Sequence, residues 1–269
     1  MKFGRYTTVL TEVRDKILII SLNRPEKKNS FNGVLVKELL EIVHKSKVKN
    51  EITAIILTGI GDTFCAGADL GYLESLLIKD YQAHLEDSRK LKDLYYTIFS
   101  FPKPTLALVN GAALAGGCGL VTVCDFAFAV PEAIFGYPEV KIGFVAAIVS
   151  VFLLQNIGYR RAKNLLLTGK TIDAVIAKDI GLIDELVGEG SLLDYGLNFL
   201  NTLRKNSPAS MYLSKEIVNR NAWADIDQIL EEACVYNART RQEKDFKEGI
   251  RAFLEKRAPN WSYYPIPKL

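Results

Sequence analysis

Apolar and polar residues alternate along this chain with two different periods. "TTVLTEV" and "KILIISLN" carry the β-branched, strand-like pattern, and the polar Arg14-Asp15-Lys16 between them reads as a hairpin turn. From Asn32 onward Leu35, Leu39, Leu40, Ile42 and Val43 recur at helical spacing. The runs "TAIILTG" (53–59) and "PTLALVNG" (104–111) predict buried strands, separated by an amphipathic segment over about 73–99. "DFAFAV" (125–130) and "AIFGYPEV" (133–140) are strand-like too. Beyond about residue 145 the pattern turns helical. "AAIVSVFLLQNIG" closes at Gly158 and "RRAKNLLLTG" at Gly169, and helices follow over 208–221, 225–239 and 243–257. Pro208 suits a first helical turn. Strands separated by helices favour parallel pairing through crossovers, so the expected class is α/β with a helical C-terminal part.

Composition narrows the function classes. At 269 residues and 49% hydrophobic, the chain can bury a sizeable core in one large domain or two modest ones. The net charge of +3 comes from Lys and Arg scattered among nearly as many acids. No basic stripe points to a nucleic-acid partner, whereas a small anionic ligand fits. Cys65, Cys118, Cys124 and Cys234 form neither a CxxC pair nor a metal-like set with the two histidines, His44 and His84. They read as free thiols in a reducing compartment, with no metal site. No window approaches about 18 uninterrupted apolar residues, and "MKFGRYTTVL" has no apolar secretory core. The expectation is a cytoplasmic protein with no membrane partner.

Two glycine-bearing turns follow predicted buried strands: "GIGDTFCAGADL" (59–70) and "NGAALAGGCGL" (110–120). At strand-to-helix junctions, backbone N–H groups are free to face an anion. Neither turn spells a P-loop or a dinucleotide fingerprint. Tight helix-on-strand packing is the plainer reading of each, but two such donors converging on one oxygen would make an oxyanion hole. That chemistry needs a proton carrier. Glu139, after Pro138, is the candidate, against its plainer reading as a solvated loop carboxylate.

"FCAGADL", "NGAALAGGCGLVTVCDFAFA" and "IFGYPEVKIGF" together resemble the crotonase superfamily, the enoyl-CoA hydratases and isomerases. The resemblance runs from "ISLNRPEKKNSFN" at 20–32 through "YRRAKNLLLTGKTIDAVIAKDIGLIDELV" to "EGIRAFLEKRAPNW". It implies a spiral of ββα turns over 1–200 and a helical trimerisation region over 201–269. It also implies a homotrimer or dimer of trimers, and an acyl-CoA substrate with no cofactor beyond the coenzyme A of the thioester. By motif position the oxyanion donors are the N–H groups of Ala68 and Gly116, the latter at a helix start. The segment Ala66, Gly67, Ala68, Asp69 and Leu70 would lie along the pantetheine and adenine, with Asp69 holding the loop. Arg24 and Lys28 would meet the CoA phosphates. Tyr72, Leu73, Leu76 and Phe144 are candidates for the acyl wall, and the tail at 260–269 for a contact with a neighbouring subunit.

One departure matters. Typical hydratases of the family carry two glutamates, and Gly119 stands where the first belongs, so "GGCE" has become "GGCG". With Glu139 alone, two enzyme readings remain: hydration of a 2-enoyl-CoA, or movement of a double bond between 3-enoyl and 2-enoyl forms. The local sequence around Glu139 resembles hydratases more closely. A silent acyl-CoA-binding member is a third reading, and decarboxylation or thioester hydrolysis would use the same hole. Restoring a glutamate at position 119 is expected to raise hydration if the fold accepts it.

Overall fold

The computed structural model describes residues 4–188, 190–222 and 225–261; most of the tail assigned to a subunit contact, 262–269, lies outside the described residues. The predicted hairpin is β1 (Val9–Arg14) paired antiparallel with β2 (Ile17–Leu22), with Asp15 and Lys16 both at positive φ in the turn. Asn32 caps α1 (Gly33–Lys47) by accepting from the Leu35 N–H at 2.8 Å. Then follow β3 (Ala54–Gly59), β4 (Thr63–Cys65), α2 (Leu70–Leu76), α3 (Tyr81–Phe99), β5 (Thr105–Val109), β6 (Ala112–Leu114) and α4 (Gly116–Thr122). The next stretch holds β7 (Phe126–Ala129), β8 (Ile134–Gly136), a 3-10 helix over Pro138–Ile142, α5 (Ala147–Ile157) and α6 (Tyr159–Thr168). The chain ends with β9 (Thr171–Asp173), α7 (Ala174–Asp179), β10 (Glu185–Leu186), α8 (Leu192–Leu203), α9 (Pro208–Ala222), α10 (Ile226–Thr240) and α11 (Lys244–Leu254).

Two sheets organise these elements, ordered β1-β2-β3-β5-β7-β10 and β4-β6-β8-β9. All neighbours run parallel except the β1–β2 hairpin and the β8–β9 pair. Each of the pairs β3–β4, β5–β6 and β7–β8 lays one strand in the first sheet and the next in the second. Helices then carry the chain back, so the fold is the expected ββα spiral. The central strands β2, β3 and β5 of the first sheet are buried on both faces, as parallel strands covered by helices are, while β1 at its edge alternates buried and exposed residues. Leu18, Ile20 and Leu22 of β2 enter the main core, while Ile17 and Ile19 enter a second core closed by Leu197 and Leu200 of α8.

The amphipathic segment expected over 73–99 is two helices rather than one. Asp69 accepts from the Gly71 and Tyr72 N–H groups to start α2, and Asp80 accepts from Ala83 N–H at 2.8 Å to start α3. Two capping aspartates impose two starts on one run of helical periodicity. In the C-terminal region α10 packs on α3 and α5, and α11 packs on α2 and the 3-10 helix.

Candidate active site

The two glycine turns meet. Gly67 (φ +93°) and Ala115 (φ +50°) precede the two predicted donors, and each turns the chain sharply at that point. A Cβ on Gly67 would sit 2.8 Å from the Ala115 Cβ, so the first turn needs glycine both for its backbone and for this approach. Phe31 N–H donates to the Gly67 carbonyl at 2.6 Å, and Asp69 N–H donates to the Phe31 carbonyl at 2.9 Å. This short parallel bridge leaves the N–H of Ala68 facing away from Phe31. On the other turn, Ala115 N–H donates to the Gly136 carbonyl at 2.8 Å, and Gly116 opens α4 with an N–H that has no acceptor within the helix. Gly117 lets α4 press onto β4, since a Cβ there would lie 2.2 Å from the Cys65 carbonyl oxygen.

Glu139 sits in the 3-10 helix and is buried. Pro138 suits the first position of that helix, and Gly143 ends it in the left-handed conformation. The segment is clamped from outside by α11, where a Cβ on Gly249 would meet the Ile142 carbon at 2.3 Å. Tyr137, next to Pro138, shares a 2.5 Å hydrogen bond with Thr122 of α4. The Glu139 Oε2 is buried without a hydrogen-bond partner among the described residues. Burial pushes the carboxyl up to about 7, opposed only by its own backbone N–H. A carboxyl poised there exchanges protons readily near neutral pH.

The space at residue 119 is already taken. A Cβ on Gly119 would lie 2.5 Å from the Tyr95 hydroxyl and 2.7 Å from its ring carbon Cζ. Tyr95, buried on α3, donates to the Gly116 carbonyl at 2.8 Å. Burial first, then the nearby Glu139 charge, pushes the phenol well above its ordinary value. The condition attached to a glutamate at 119, that the fold accept it, therefore turns on Tyr95: a side chain there fits only if the Tyr95 ring moves.

One cavity of about 850 Å³ joins these parts. Ala66, Ala68, Gly116, Tyr95 and Glu139 line it, and so do all four acyl-wall candidates, Tyr72, Leu73, Leu76 and Phe144. Lys37, Lys79, Lys90 and Lys141 also line it and give it a cationic border. Arg24, Lys28, Gly67 and Leu70 are not among its walls. Arg24 is engaged elsewhere, donating to Asp69 at 2.9 Å and to the Ser30 carbonyl at 2.5 Å, and Leu70 is exposed. This ion pair and the α2 cap give Asp69 a role in holding its loop. The sequence reading missed Tyr95, Asn237 and Arg241, all of which line the cavity. Tyr95 looked like one more apolar position of an amphipathic helix, and Arg241 like one more surface charge. Among the described residues no group of His, Cys, Asp and Glu is placed to hold a metal ion, and no helix is long and apolar enough to cross a membrane.

A ββα spiral that brings Ala68, Gly116 and one buried carboxyl to a single cavity has the arrangement expected of the crotonase class. The family model for enoyl-CoA hydratase/isomerase matches residues 12–263, and the chain belongs to that family. A Thermus thermophilus relative bearing the enoyl-CoA hydratase name is 38% identical over 245 residues, covering 91% of this chain and 97% of its own. The short-chain-enoyl-CoA hydratase of Clostridium acetobutylicum is 31% identical, covering 93% and 95%. The crystal structure of an enoyl-CoA hydratase from Mycobacterium avium superimposes with a TM-score of 0.85 at 30% identity, covering 96% of this chain and all of that one.

Proposed function

We propose that this chain adds water across the 2,3 double bond of an enoyl-CoA thioester, with Glu139 as its one catalytic carboxyl. The observation that carries the reading is the unpartnered Oε2 of the buried Glu139 carboxyl, in the same cavity as Ala68 and Gly116. The N–H groups of Ala68 and Gly116 hold the thioester oxygen and stabilise the charge it gains. Ionised Glu139 takes a proton from water as the water oxygen bonds to C3, and the displaced electron pair moves through C2 to the thioester oxygen. The enolate collapses as Glu139 returns that proton to C2, which leaves a 3-hydroxyacyl-CoA and restores the carboxylate. The Tyr95 hydroxyl spends its proton on Gly116, so its oxygen remains an acceptor for the second hydrogen of the same water. In this role Tyr95 stands in for the carboxyl missing at 119. The lysine border suits the phosphates of coenzyme A.

Hydration of crotonyl-CoA removes the absorbance of the conjugated thioester, and loss of that absorbance is the expected result. A second reading, isomerisation of a 3-enoyl-CoA, draws support from Tyr95 filling the place of a second carboxyl, since one base can carry a proton from C2 to C4. Growth of the same absorbance from a 3-enoyl-CoA, with crotonyl-CoA left untouched, would decide for it. We propose a trimer or a dimer of trimers as the assembly. α9 supports this: it buries no residue and exposes Leu213, Ile217 and Val218, and light scattering tests it.

A further inference from the structure

Glu139 is joined to the oxyanion turn by the two residues that lead β8 into its 3-10 helix, Gly136 and Tyr137. The Gly136 carbonyl accepts from Ala115 N–H at 2.8 Å, beside Gly116. The Tyr137 hydroxyl lies 2.5 Å from Oγ1 of Thr122, the last residue of α4. Thr122 donates its only hydroxyl proton to the Cys118 carbonyl at 2.8 Å, so Tyr137 is the donor between the two. Burial above all holds the Tyr137 phenol well above its ordinary value, which keeps that proton in place. Asn156 of α5 donates to the Thr122 carbonyl at 2.9 Å and anchors the same end of α4 from the other side.

The Gly136 and Tyr137 bonds grip α4 at opposite ends. Seven helical residues span about 10 Å, so two bonds that far apart fix direction as well as distance. Pro138, with its locked φ, is the one residue between Tyr137 and Glu139. Tyr137 and Thr122 are both buried, and neither lines the cavity. A phenylalanine at 137 would fill the same core with no polar group to satisfy, so packing alone does not account for the hydroxyl. A buried and satisfied polar pair fixes one geometry where apolar contacts permit several.

We propose that Tyr137 is a positioning residue, whose bond to Thr122 holds the Glu139 carboxyl in register with the Gly116 N–H. The proposal rests on the reading of Glu139 as the proton carrier beside an oxyanion hole. Loss of the hydroxyl leaves the acid and both donors in place and lets their relative placement drift. A proton must reach C2 while the thioester oxygen is held, so drift slows turnover more than it weakens binding.

The test compares the full chain with Tyr137→Phe, Thr122→Val and the double variant, with sites counted by butyryl-CoA binding. In Tyr137→Phe, kcat for crotonyl-CoA is expected to fall about 10-fold, with KM and the butyryl-CoA dissociation constant nearly unchanged. Thr122→Val breaks the same bond but leaves the Tyr137 hydroxyl buried without that acceptor, whereas the double variant removes both partners. The double variant should therefore resist denaturant better than Thr122→Val, yet turn over no faster than either single variant. A merely structural bond would return turnover together with stability. Exchange of the C2 hydrogen of butyryl-CoA with deuterated solvent needs Glu139 and the oxyanion hole but no water addition, and it should slow in step. If the parent exchanges that hydrogen without hydrating crotonyl-CoA, the hydratase reading falls and Tyr137 is judged on exchange. A parent that does neither overturns both. Parent-like rates in Tyr137→Phe, or rates that recover with stability in the double variant, would overturn the positioning role alone.

Discussion

Positions 119 and 139 are where this family can place its two carboxyls, and they have gone opposite ways. At 139 a carboxyl is kept and buried, one of its oxygens without a partner, and burial sets its proton affinity. At 119 the side chain is gone, and a tyrosine from another helix occupies the space. A vacancy in a sequence is thus not a vacancy in the molecule. The polar group at the second position arrives from residue 95, twenty-four positions earlier in the chain.

The contrast can be broken most severely at the retained acid. Glu139→Gln should lower kcat/KM for hydration by about 10²–10⁴-fold while acyl-CoA binding survives, as kinetics and calorimetry together would show. The same change should stabilise the fold. A carboxyl raised from 4.5 to about 7 contributes its full stability below pH 4.5 and loses it as pH rises through 7, a loss of about 3 kcal/mol. Denaturant titration should therefore find the variant more stable than the parent at pH 8 and equal to it near pH 4. The matching pH profile has kcat/KM rising through about 7 as Glu139 ionises.

At 119 the expected effects are smaller. Gly119→Ala forces a methyl into the Tyr95 ring and should cost about 1–3 kcal/mol. Most of that cost should vanish in a Tyr95→Ala background, and a double-mutant cycle measures the coupling. Tyr95→Phe keeps the ring and loses only the hydroxyl. Hydration should fall about 10-fold, in line with one lost hydrogen bond, while exchange of the C2 hydrogen with solvent continues at Glu139. Unchanged hydration would remove Tyr95 from the water's path. Least of all, Ala115→Gly should relieve a left-handed alanine and raise stability by about 1 kcal/mol or less.

The β1–β2 hairpin, the buried strands around 53–59 and 104–111 and the long helices were legible because their periods are strong and their caps local, as at Asn32, Gly158 and Gly169. The three-residue strands β4, β6 and β9 carry no period of their own and are set by pairing with one another and with β8. Ala68 and Gly116, the proposed oxyanion donors, and Glu139 stood out because each belongs to a motif in sequence. Tyr95, Asn237 and Arg241 follow none. Tyr95 is placed by α3 meeting α4, and Asn237 and Arg241 by α10 closing one side of the cavity, contacts between residues far apart in sequence. The partners of Arg24 were hidden for the same reason, since Asp69 lies forty-five residues away.

Each strand of the larger sheet pairs with the one synthesised before it, in the unbroken order β1, β2, β3, β5, β7, β10. The scaffold can therefore grow from its N-terminal edge as the chain leaves the ribosome, one turn of the spiral docking on the last. The cavity cannot follow that schedule. Asn237, Arg241, Phe246 and Phe253 in its wall belong to α10 and α11, and α11 also clamps the segment that carries Glu139. A nascent chain stalled before residue 226 would hold its sheet and both N–H donors but would lack the far wall of its binding site. On this ordering the binding cavity closes late in biosynthesis, once α10 and α11 have been made.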